Sequence, residues 1–445
     1  MRAVDRKVTS FFTALFAFLL VAQQPLYACT GITLIAADDS VVYGRTLEWG
    51  AFDLKSRIII IPRGYDLVGS TPDNQPGVRW KSKFGVVGID ALEHDIVTEG
   101  MNETGLTLGV FYHPGFAEYQ QYHPDRAEET MGPLDVGAFI LTQFSSVEEV
   151  RSAMKTVRIV PVVEPALGFT APLHFMVTEP SGKSIVIEYL KGELTILDNP
   201  LGVITNSPSF DWHLTNLRNF INLSPVALPG KTIEDLDFTP LGGGSGMICL
   251  PGDFTPVSRF VRAVAFSKSA RHTDSAEETV YELFRVLDNF NVPLGAAEGP
   301  EGATSGTKGM RSATNWTSAL DISNLVLYYN SDQSQLLSGM SPSAGSPPCA
   351  FSSMTNAPCG SRTTIYRPRP AKVSGPSTTS PPSRTSDWVT ASTSPIEIEV
   401  SHTASPLLGS PSSNAAIAAT GCPLFVATAY TSFCRTSNDQ PKASR

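Results

Sequence analysis

Charge is scarce in this sequence, and no long hydrophobic run follows its N-terminal leader. Only 17% of the 445 residues are charged, and their balance is acidic, with a net charge of −9 and a pI near 5.4. An acidic chain is a poor partner for nucleic acid and has no electrostatic reason to bind anionic membranes. No later stretch is apolar for long enough to span a bilayer. The sequence therefore argues against nucleic-acid-binding and membrane-spanning proteins.

Metal, nucleotide and disulfide signatures are also missing. The sequence contains no H-E-x-x-H, no P-loop and no G-x-G-x-x-G. Two cysteines, Cys29 and Cys249, lie in the part that looks folded, and no spacing among the six predicts a disulfide framework or a zinc site. The remaining four are Cys349, Cys359, Cys422 and Cys434. We therefore expect neither a metal nor a cofactor.

Residues 1–28 are typical of an export signal. Positive charges precede an apolar run over 11–22, which is too short to span a bilayer. Ala28 is a small residue at the position where a signal peptidase would cut. We expect the leader to be removed and the protein to be periplasmic or secreted; an uncleaved anchor is the alternative.

Strands and a smaller number of helices fill residues 29–335. Apolar stretches on either side of Asp38-Asp39 predict a hairpin, and residues 174–197 predict a meander. Capping boxes at Ser146 and Ser275 predict helices that run to about Val157 and Leu287. Runs of strands with inserted helix pairs indicate an α+β fold with helices stacked on packed sheets.

The composition changes near residue 335. From 341 to 445 roughly a third of the residues are Ser or Pro, and such a segment buries too little apolar surface to offset its ordering entropy. We expect residues 336–445 to be disordered or the product of a shifted reading frame, and an interaction tail is a further alternative.

Cleavage after Ala28 would give Cys29 both a thiol and a free α-amine. An α-amine has a pKa of about 7.7 to 8.0, so it can accept the thiol's proton near neutral pH and later pass it to a leaving amine. The thiol also needs neighbours that favour thiolate. If the hairpin is symmetric about Asp38-Asp39, Cys29 faces Glu48, and Arg45 reaches the thiol's side only with a bulge.

Each of these residues also has an ordinary explanation. Residues 26–29, Leu-Tyr-Ala-Cys, approach a lipobox, and a lipid on Cys29 would consume the nucleophile and leave a lipid-anchored binding protein. Arg45 and Glu48 alone would more often be a surface ion pair.

Several stretches together resemble the choloylglycine hydrolases, the group of conjugated bile salt hydrolases and penicillin V acylases. They are "CTGITLIAADDSVVYGRTLEWG", "EGMNETGLTLGVFYHPGFAEY", "GVITNSPSFDWHLTNL", "PGDFTPVSRFVRAVAF" and "TNWTSALDISN". The resemblance covers about residues 29 to 330. It implies amide hydrolysis in an N-terminal-nucleophile fold of four layers, αββα, and a homo-oligomer, a tetramer.

The resemblance also implies roles for single residues. Cys29 would be the nucleophile, Arg45 its guanidinium neighbour, Asn206 a side-chain donor to the oxyanion hole and Arg259 a second catalytic arginine. Seen alone, Asn206 could form an Asx-turn and Arg259 a surface pair.

Three departures from the family pattern bear on function. Glu48 stands where the family usually has Asp. Tyr112 stands where bile salt hydrolases have Asn and penicillin V acylases commonly Tyr, and the Ser/Pro-rich segment replaces a closing strand. Tyr112 favours aryloxyacetyl amides, while bile salt conjugates and N-acyl homoserine lactones stay open. Apolar loops near Leu47 would line the small-molecule pocket or simply belong to the core.

Overall fold

The computed structural model describes residues 29–50, 54–293, 296–297, 313–331 and 334–340, together with five short strands beyond residue 349. The predicted signal peptide and most of the Ser/Pro-rich segment, with its four cysteines, lie outside the described residues. Among those that are described, no helix has the length and hydropathy to cross a membrane.

Five α-helices are described. They are α1 (Val136–Gln143), α2 (Val147–Ala153), α3 (Phe210–Asn216), α4 (Pro256–Ser269) and α5 (Ala276–Leu287). Short 3-10 helices occur at Pro124–Glu129, Pro133–Asp135, Leu217–Phe220, Ser245–Met247 and Asp288–Phe290.

The strands are, in chain order, β1 (Cys29–Ile35), β2 (Val41–Trp49), β3 (Ile58–Ile61), β4 (Asp66–Val68), β5 (Arg79–Lys81), β6 (Val86–Ala91), β7 (His94–Asn102), β8 (Thr107–Tyr112), β9 (Thr130–Met131), β10 (Arg158–Ile159), β11 (Leu173–Thr178), β12 (Ser184–Leu190), β13 (Glu193–Asp198), β14 (Val203–Ile204), β15 (Lys231–Ile233), β16 (Leu236–Phe238), β17 (Ala313–Asp321), β18 (Val326–Ser331), β19 (Ser334–Met340), β20 (Ala350–Ser352), β21 (Thr363–Tyr366), β22 (Ile396–Ile398), β23 (Ala415–Ile417) and β24 (Phe425–Ala427).

Two antiparallel sheets form the centre of the fold. One has the strand order β14-β1-β2-β17-β18-β19, and the other has the order β13-β12-β11-β8-β7-β6-β3-β20-β21-β22. Helices α4 and α5 contact the first sheet, and α1 contacts β7 and β8 of the second. The four-layer αββα sandwich that the resemblance implied is therefore confirmed.

Strand β3 illustrates how the layers are packed. All four of its isoleucines are buried, yet Ile58 and Ile60 belong to a different apolar cluster from Ile59 and Ile61. Successive strand residues point to opposite faces. Both faces of this sheet are therefore covered, one by the other sheet and one by α1 and α2.

The predicted helix starts are confirmed, while one predicted end is wrong. Ser146 and Ser275 cap α2 and α5 by accepting from backbone nitrogens three residues on. Helix α2 ends at Ala153 instead of about Val157, because Thr156 donates from both its nitrogen and its hydroxyl to the Ala153 carbonyl, each at 2.8 Å. A β-branched side chain that bonds the backbone locally competes with helix continuation.

Candidate active site

The hairpin that carries Cys29 has a register that differs from the predicted one. The prediction placed Cys29 opposite Glu48, whereas Cys29 pairs with Leu47 and Gly31 pairs with Arg45. Residues directly opposite each other in an antiparallel pair lie on one face of the sheet. Cys29 and Arg45 therefore share a face without any bulge, and Glu48 lies on the other face.

The turn of the hairpin causes this shift of one residue. The nitrogen of Ala36 donates to the Ser40 carbonyl at 2.9 Å, so the turn consists of residues 37–39. Asp39 has φ 65°, the left-handed conformation with which three-residue hairpin turns end. The prediction assumed a two-residue turn that consists of Asp38 and Asp39. The observed pairing is instead centred on Asp38.

Asn206 and Arg259 hold the backbone of Cys29, which is 5% exposed. The nitrogen of Cys29 donates to Asn206 Oδ1 at 2.8 Å. Arg259 Nη1 donates to the carbonyl of Cys29 and to Thr30 Oγ1, and its Nη2 donates to Asn206 Oδ1 at 2.6 Å. One buried network thus fixes both the nitrogen and the carbonyl of the cysteine.

The nitrogen of Cys29 is a peptide nitrogen in this chain, since residue 28 precedes it. It stands in the position that an α-amine would occupy after cleavage at this bond. Asn206 Oδ1 could accept a hydrogen bond from either species.

The amide of Asn206 has one hydrogen still to place. The side-chain Nδ2 donates to the Tyr112 carbonyl at 2.8 Å. The backbone carbonyl of Asn206 lies 2.9 Å from His213 Nε2. An amide nitrogen carries two N–H groups. The contacts among the described residues occupy one of these two groups.

Arg45 lies fully buried between the thiol-bearing strand and the second sheet. Its Nη1 donates to the Val110 carbonyl, its guanidinium lies 4.3 Å from the centre of the Phe111 ring, and its Nε is 3.6 Å from Glu99 Oε2. Burial acts to lower the pKa of Arg45, but the nearby charges of Cys29 and Glu99 outweigh it and raise that pKa. Arg45 therefore remains a cation beside the sulfur.

Glu48, which the predicted pairing placed opposite Cys29, contacts Thr314 instead. The nitrogen of Cys29 donates to Asn206. Thr314 Oγ1 donates to Glu48 Oε1 at 2.8 Å. Burial raises the pKa of Glu48 to about 7, although Arg259 acts against this shift. Glu48 and Arg259 therefore interact electrostatically, each acting against the effect of burial on the other.

Comparison with known proteins identifies the family of this chain. The family model of linear amide C-N hydrolases, choloylglycine hydrolase family, matches residues 29–341. The chain belongs to the choloylglycine hydrolase family. It is therefore a hydrolase of linear amides.

Relatives of two kinds are similar to this chain. A bile salt hydrolase/transferase of Clostridium perfringens is 33% identical over 312 residues, which are 68% of this chain and 88% of that protein. A penicillin V acylase of Pectobacterium atrosepticum is 24% identical, over 66% of this chain and 74% of that protein. A solved variant of conjugated bile acid hydrolase from Clostridium perfringens superposes with a TM-score of 0.61 at 27% identity, covering 78% of this chain and 99% of that one.

The two predicted pocket residues, Leu47 and Tyr112, are both buried. Leu47 belongs to the apolar cluster that contains Cys29. The Tyr112 ring belongs to the cluster under α1 and packs edge-on against Trp49, with centroids 5.9 Å apart. The carbonyl of Tyr112 accepts a hydrogen bond from Asn206 Nδ2.

Sequence reasoning missed four buried polar residues around this site. They are Glu99, His174, Glu188 and His213. For His174 and Glu188 the signal is an ionisable residue within an otherwise apolar strand, in "LHFMVT" of β11 and "SIVIEYL" of β12. Such a residue is costly to bury unless it is paired, so it marks either a catalytic or a supporting group.

Proposed function

We propose that the chain cleaves non-peptide amides through Cys29, using the sulfur as nucleophile and the α-amine of the same residue as base. The observation that supports this proposal is the contact set of Cys29, with its nitrogen on Asn206 and its carbonyl on Arg259. Arg45, on the thiol's face of β1 and β2, favours the thiolate.

The proposed reaction has two halves. The thiolate attacks the amide carbonyl, the C–N bond breaks, and the leaving amine takes a proton from the α-ammonium group. A thioester on Cys29 remains. The α-amine then accepts a proton from water, the resulting hydroxide attacks the thioester, and collapse releases the carboxylic acid and regenerates the Cys29 thiolate beside the α-ammonium group. In both tetrahedral intermediates the second N–H of Asn206 donates to the oxyanion.

We propose bile salt conjugates as the first substrate class. The bile salt hydrolase/transferase relative is more similar, and over more of its length, than the penicillin V acylase relative. The argument for penicillin V depended on the side chain of Tyr112, and that ring is buried and packs edge-on against Trp49. Initial rates with taurocholate, penicillin V and a long-chain N-acyl homoserine lactone test the choice. A tenfold or greater preference for penicillin V would overturn it.

The matched pair Cys29→Ser and Cys29→Ala tests the nucleophile. Both side chains fit the space of the thiol, so both variants should fold. We expect no hydrolysis by the alanine variant and severely impaired hydrolysis by the serine variant, because a hydroxyl is a far poorer nucleophile near neutral pH. Activity of the alanine variant at the wild-type level would contradict the mechanism.

We also propose that the leader is removed after Ala28 during export. The rival is a lipid anchor on Cys29, with a non-catalytic binding function. The mass of the mature N-terminal peptide separates the two, since a diacylglyceryl group on the sulfur would exclude a thiolate nucleophile.

A further inference from the structure

A buried polar cluster lies beside the loop that carries Asn206. It consists of His113, which follows β8, and of His174 and Glu188 on β11 and β12. His174 and Glu188 lie on neighbouring strands, with their Nδ1 and Oε1 atoms 3.1 Å apart. All three residues are at most 1% exposed, and the reaction proposed above uses none of them.

The hydrogen bonds of His174 fix where its proton lies. Its Nε2 is 3.1 Å from the Thr205 carbonyl. A carbonyl only accepts, so Nε2 carries the hydrogen. In a neutral ring Nδ1 then has a lone pair, and that lone pair faces Glu188 Oε1 at 3.1 Å. Two acceptors at this distance repel each other, so one further proton must lie between them.

The surroundings of Glu188 favour that proton on the carboxyl. Burial raises the pKa of Glu188 to about 7, with Asp211 acting in the same direction and His113 against it. Burial, helped by the charge of Arg45 and opposed by the Thr205 contact, lowers the pKa of His174 to about 3. A neutral acid facing a neutral imidazole is the arrangement that costs least in a water-free interior.

The same carboxyl also holds the far end of the Asn206 loop. The nitrogen of Phe210 donates to both oxygens of Glu188, at 3.0 and 3.2 Å. His213 Nε2 lies 2.9 Å from the Asn206 carbonyl. The loop between Thr205 and Phe210 is therefore tied down at both ends and at Asn206.

We propose that Glu188, as a neutral carboxylic acid, donates a hydrogen bond to His174 Nδ1, and that this pair positions Asn206 against Cys29. The inference rests on the proposed function of Asn206. Glu188 and His174 are positioning residues, because they act only through the backbone of Thr205 and Phe210. Loss of the proton would set a carboxylate against a lone pair and loosen the loop.

A metal ion is the rival occupant of this cluster. Two imidazoles and a carboxylate are donors that Zn²⁺ accepts, at about 2.0 to 2.2 Å. The rings of His113 and His174 are stacked, however, with centroids 4.1 Å apart and 15° between their planes. A ring lone pair lies in the plane of its ring, so nearly parallel stacked rings cannot both aim at one ion. A proton fits this geometry and a metal does not.

The test compares Glu188→Gln with Glu188→Leu. A glutamine amide donates to His174 Nδ1 and accepts from Phe210, as the neutral acid does, whereas leucine does neither. We expect the glutamine variant to keep kcat within about threefold of wild type, and the leucine variant to lose on the order of 100-fold in kcat with little change in KM, because a small misplacement of a reacting group has that cost. The alkaline fall of wild-type kcat above about pH 7 should be weaker in the glutamine variant.

A second readout does not depend on catalysis. In ¹⁵N-histidine-labelled protein, we expect the His174 ring of the wild type and of Glu188→Gln to remain the neutral Nε2–H tautomer between about pH 5 and 8. An imidazolium signal for His174, or a glutamine variant as impaired as the leucine variant, would overturn the proposal. One equivalent of zinc by elemental analysis would also overturn it. If the wild type hydrolyses no amide while His174 has the expected tautomer, the proposed function fails and the proton assignment stands.

Discussion

At the scale of single residues, Arg45 interacts electrostatically with both Cys29 and Glu99. Cys29 lies on the same face of the hairpin, and Glu99 Oε2 lies 3.6 Å from its Nε. Burial raises the pKa of Glu99 to about 7, against the effect of Arg45. An ionised Glu99 therefore competes with the sulfur of Cys29 for the positive charge of Arg45. A neutral Glu99 does not compete, and Arg45 can then stabilise a thiolate more strongly.

We expect Glu99→Gln to speed the alkylation of Cys29 by iodoacetamide at neutral pH severalfold, since the thiolate no longer competes for Arg45. The rate is measured by mass spectrometry of the N-terminal peptide. Glu103→Gln is the matched control, because Glu103 pairs with Arg63 near the surface. Equal rates in both variants would show that Glu99 does not act on the sulfur.

Asn206 is expected to contribute both an acceptor and a donor. Asn206→Ala removes the acceptor for the Cys29 nitrogen and the proposed oxyanion donor, and loss of one oxyanion donor alone costs about 3 to 4 kcal/mol. We predict a fall in kcat on the order of 10² to 10³-fold with KM nearly unchanged, measured by steady-state kinetics on any hydrolysed substrate. A change confined to KM would place Asn206 in substrate binding instead.

At the scale of secondary-structure elements, the sequence determines where strands and helices lie better than how they pair. Alternating apolar residues and the Lys191-Gly192 turn predicted the β12–β13 hairpin, and Ser275 predicted the start of α5. These signals are local. The register of β1 and β2 depends on whether Asp39 adopts a left-handed conformation, which its neighbours in sequence do not determine.

The candidate site shows the same division. Cys29, Asn206 and Arg259 could be named from motifs, and the structure brings them into hydrogen-bond contact. The support of Glu99 and Glu188 could not be named, because it arises between strands of different sheets or through backbone atoms far along the chain. Such contacts depend on how the two sheets pack, which the spacing of residues along the chain does not determine.

Strand β2 supplies a prediction about packing. A Cβ on Gly44 would lie 2.3 Å from the Ser318 carbonyl on β17 and 2.9 Å from Leu283 on α5. Gly44→Ala should therefore destabilise the protein by about 2 to 3 kcal/mol, as overpacking does, and lower its melting temperature by several degrees. Gly243→Ala is the control, since its Cβ meets no atom within 4 Å. Equal melting temperatures would contradict the close approach of β2 to β17.

At the scale of the whole molecule, buried ionisable groups set the pH range of stability. Burial raises the pKa of three carboxyls from 4.5 to about 7, those of Glu48, Glu99 and Glu188. Burial lowers the pKa of three histidines from 6.5 to about 2, 3 and 4, those of His113, His174 and His213. Carboxyls with a raised pKa contribute stability below pH 4.5, and this contribution is lost as the pH rises through 7. Histidines with a lowered pKa contribute stability above pH 6.5, and this contribution is lost as the pH falls towards their pKa values in the folded protein.

Between about pH 4.5 and 6.5, the contribution of the carboxyls to stability falls with rising pH while that of the histidines increases. We expect the melting temperature to be nearly flat in that range, to fall steeply on the acid side and to fall less on the alkaline side. Scanning calorimetry at constant ionic strength measures this profile. A melting temperature that rises steadily up to about pH 9 would show that the carboxyls do not remain protonated in the folded protein.

Self-association is the second property at this scale. Eight large apolar side chains between residues 221 and 248 are exposed, among them Leu236 and Phe238 on β16. We propose that this segment packs against a second copy, in keeping with the expected tetramer, because exposed apolar side chains are concentrated in this one stretch of the chain and large exposed apolar surfaces mark interfaces. Phe238→Asp should lower the mass found by sedimentation, and Val163→Asp, at an exposed apolar residue outside the segment, should not. An unchanged mass for Phe238→Asp would contradict this interface.

The central claim is that the sulfur and the amine of one residue, Cys29, perform the hydrolysis. Acid-quenched enzyme that has turned over substrate, digested and analysed by mass spectrometry, tests it most directly. The account predicts an N-terminal peptide that begins at Cys29 and carries the acyl group of the substrate as a thioester on its sulfur. An active enzyme whose chain still begins upstream of Cys29, or whose acyl group is bound to another residue, would contradict it.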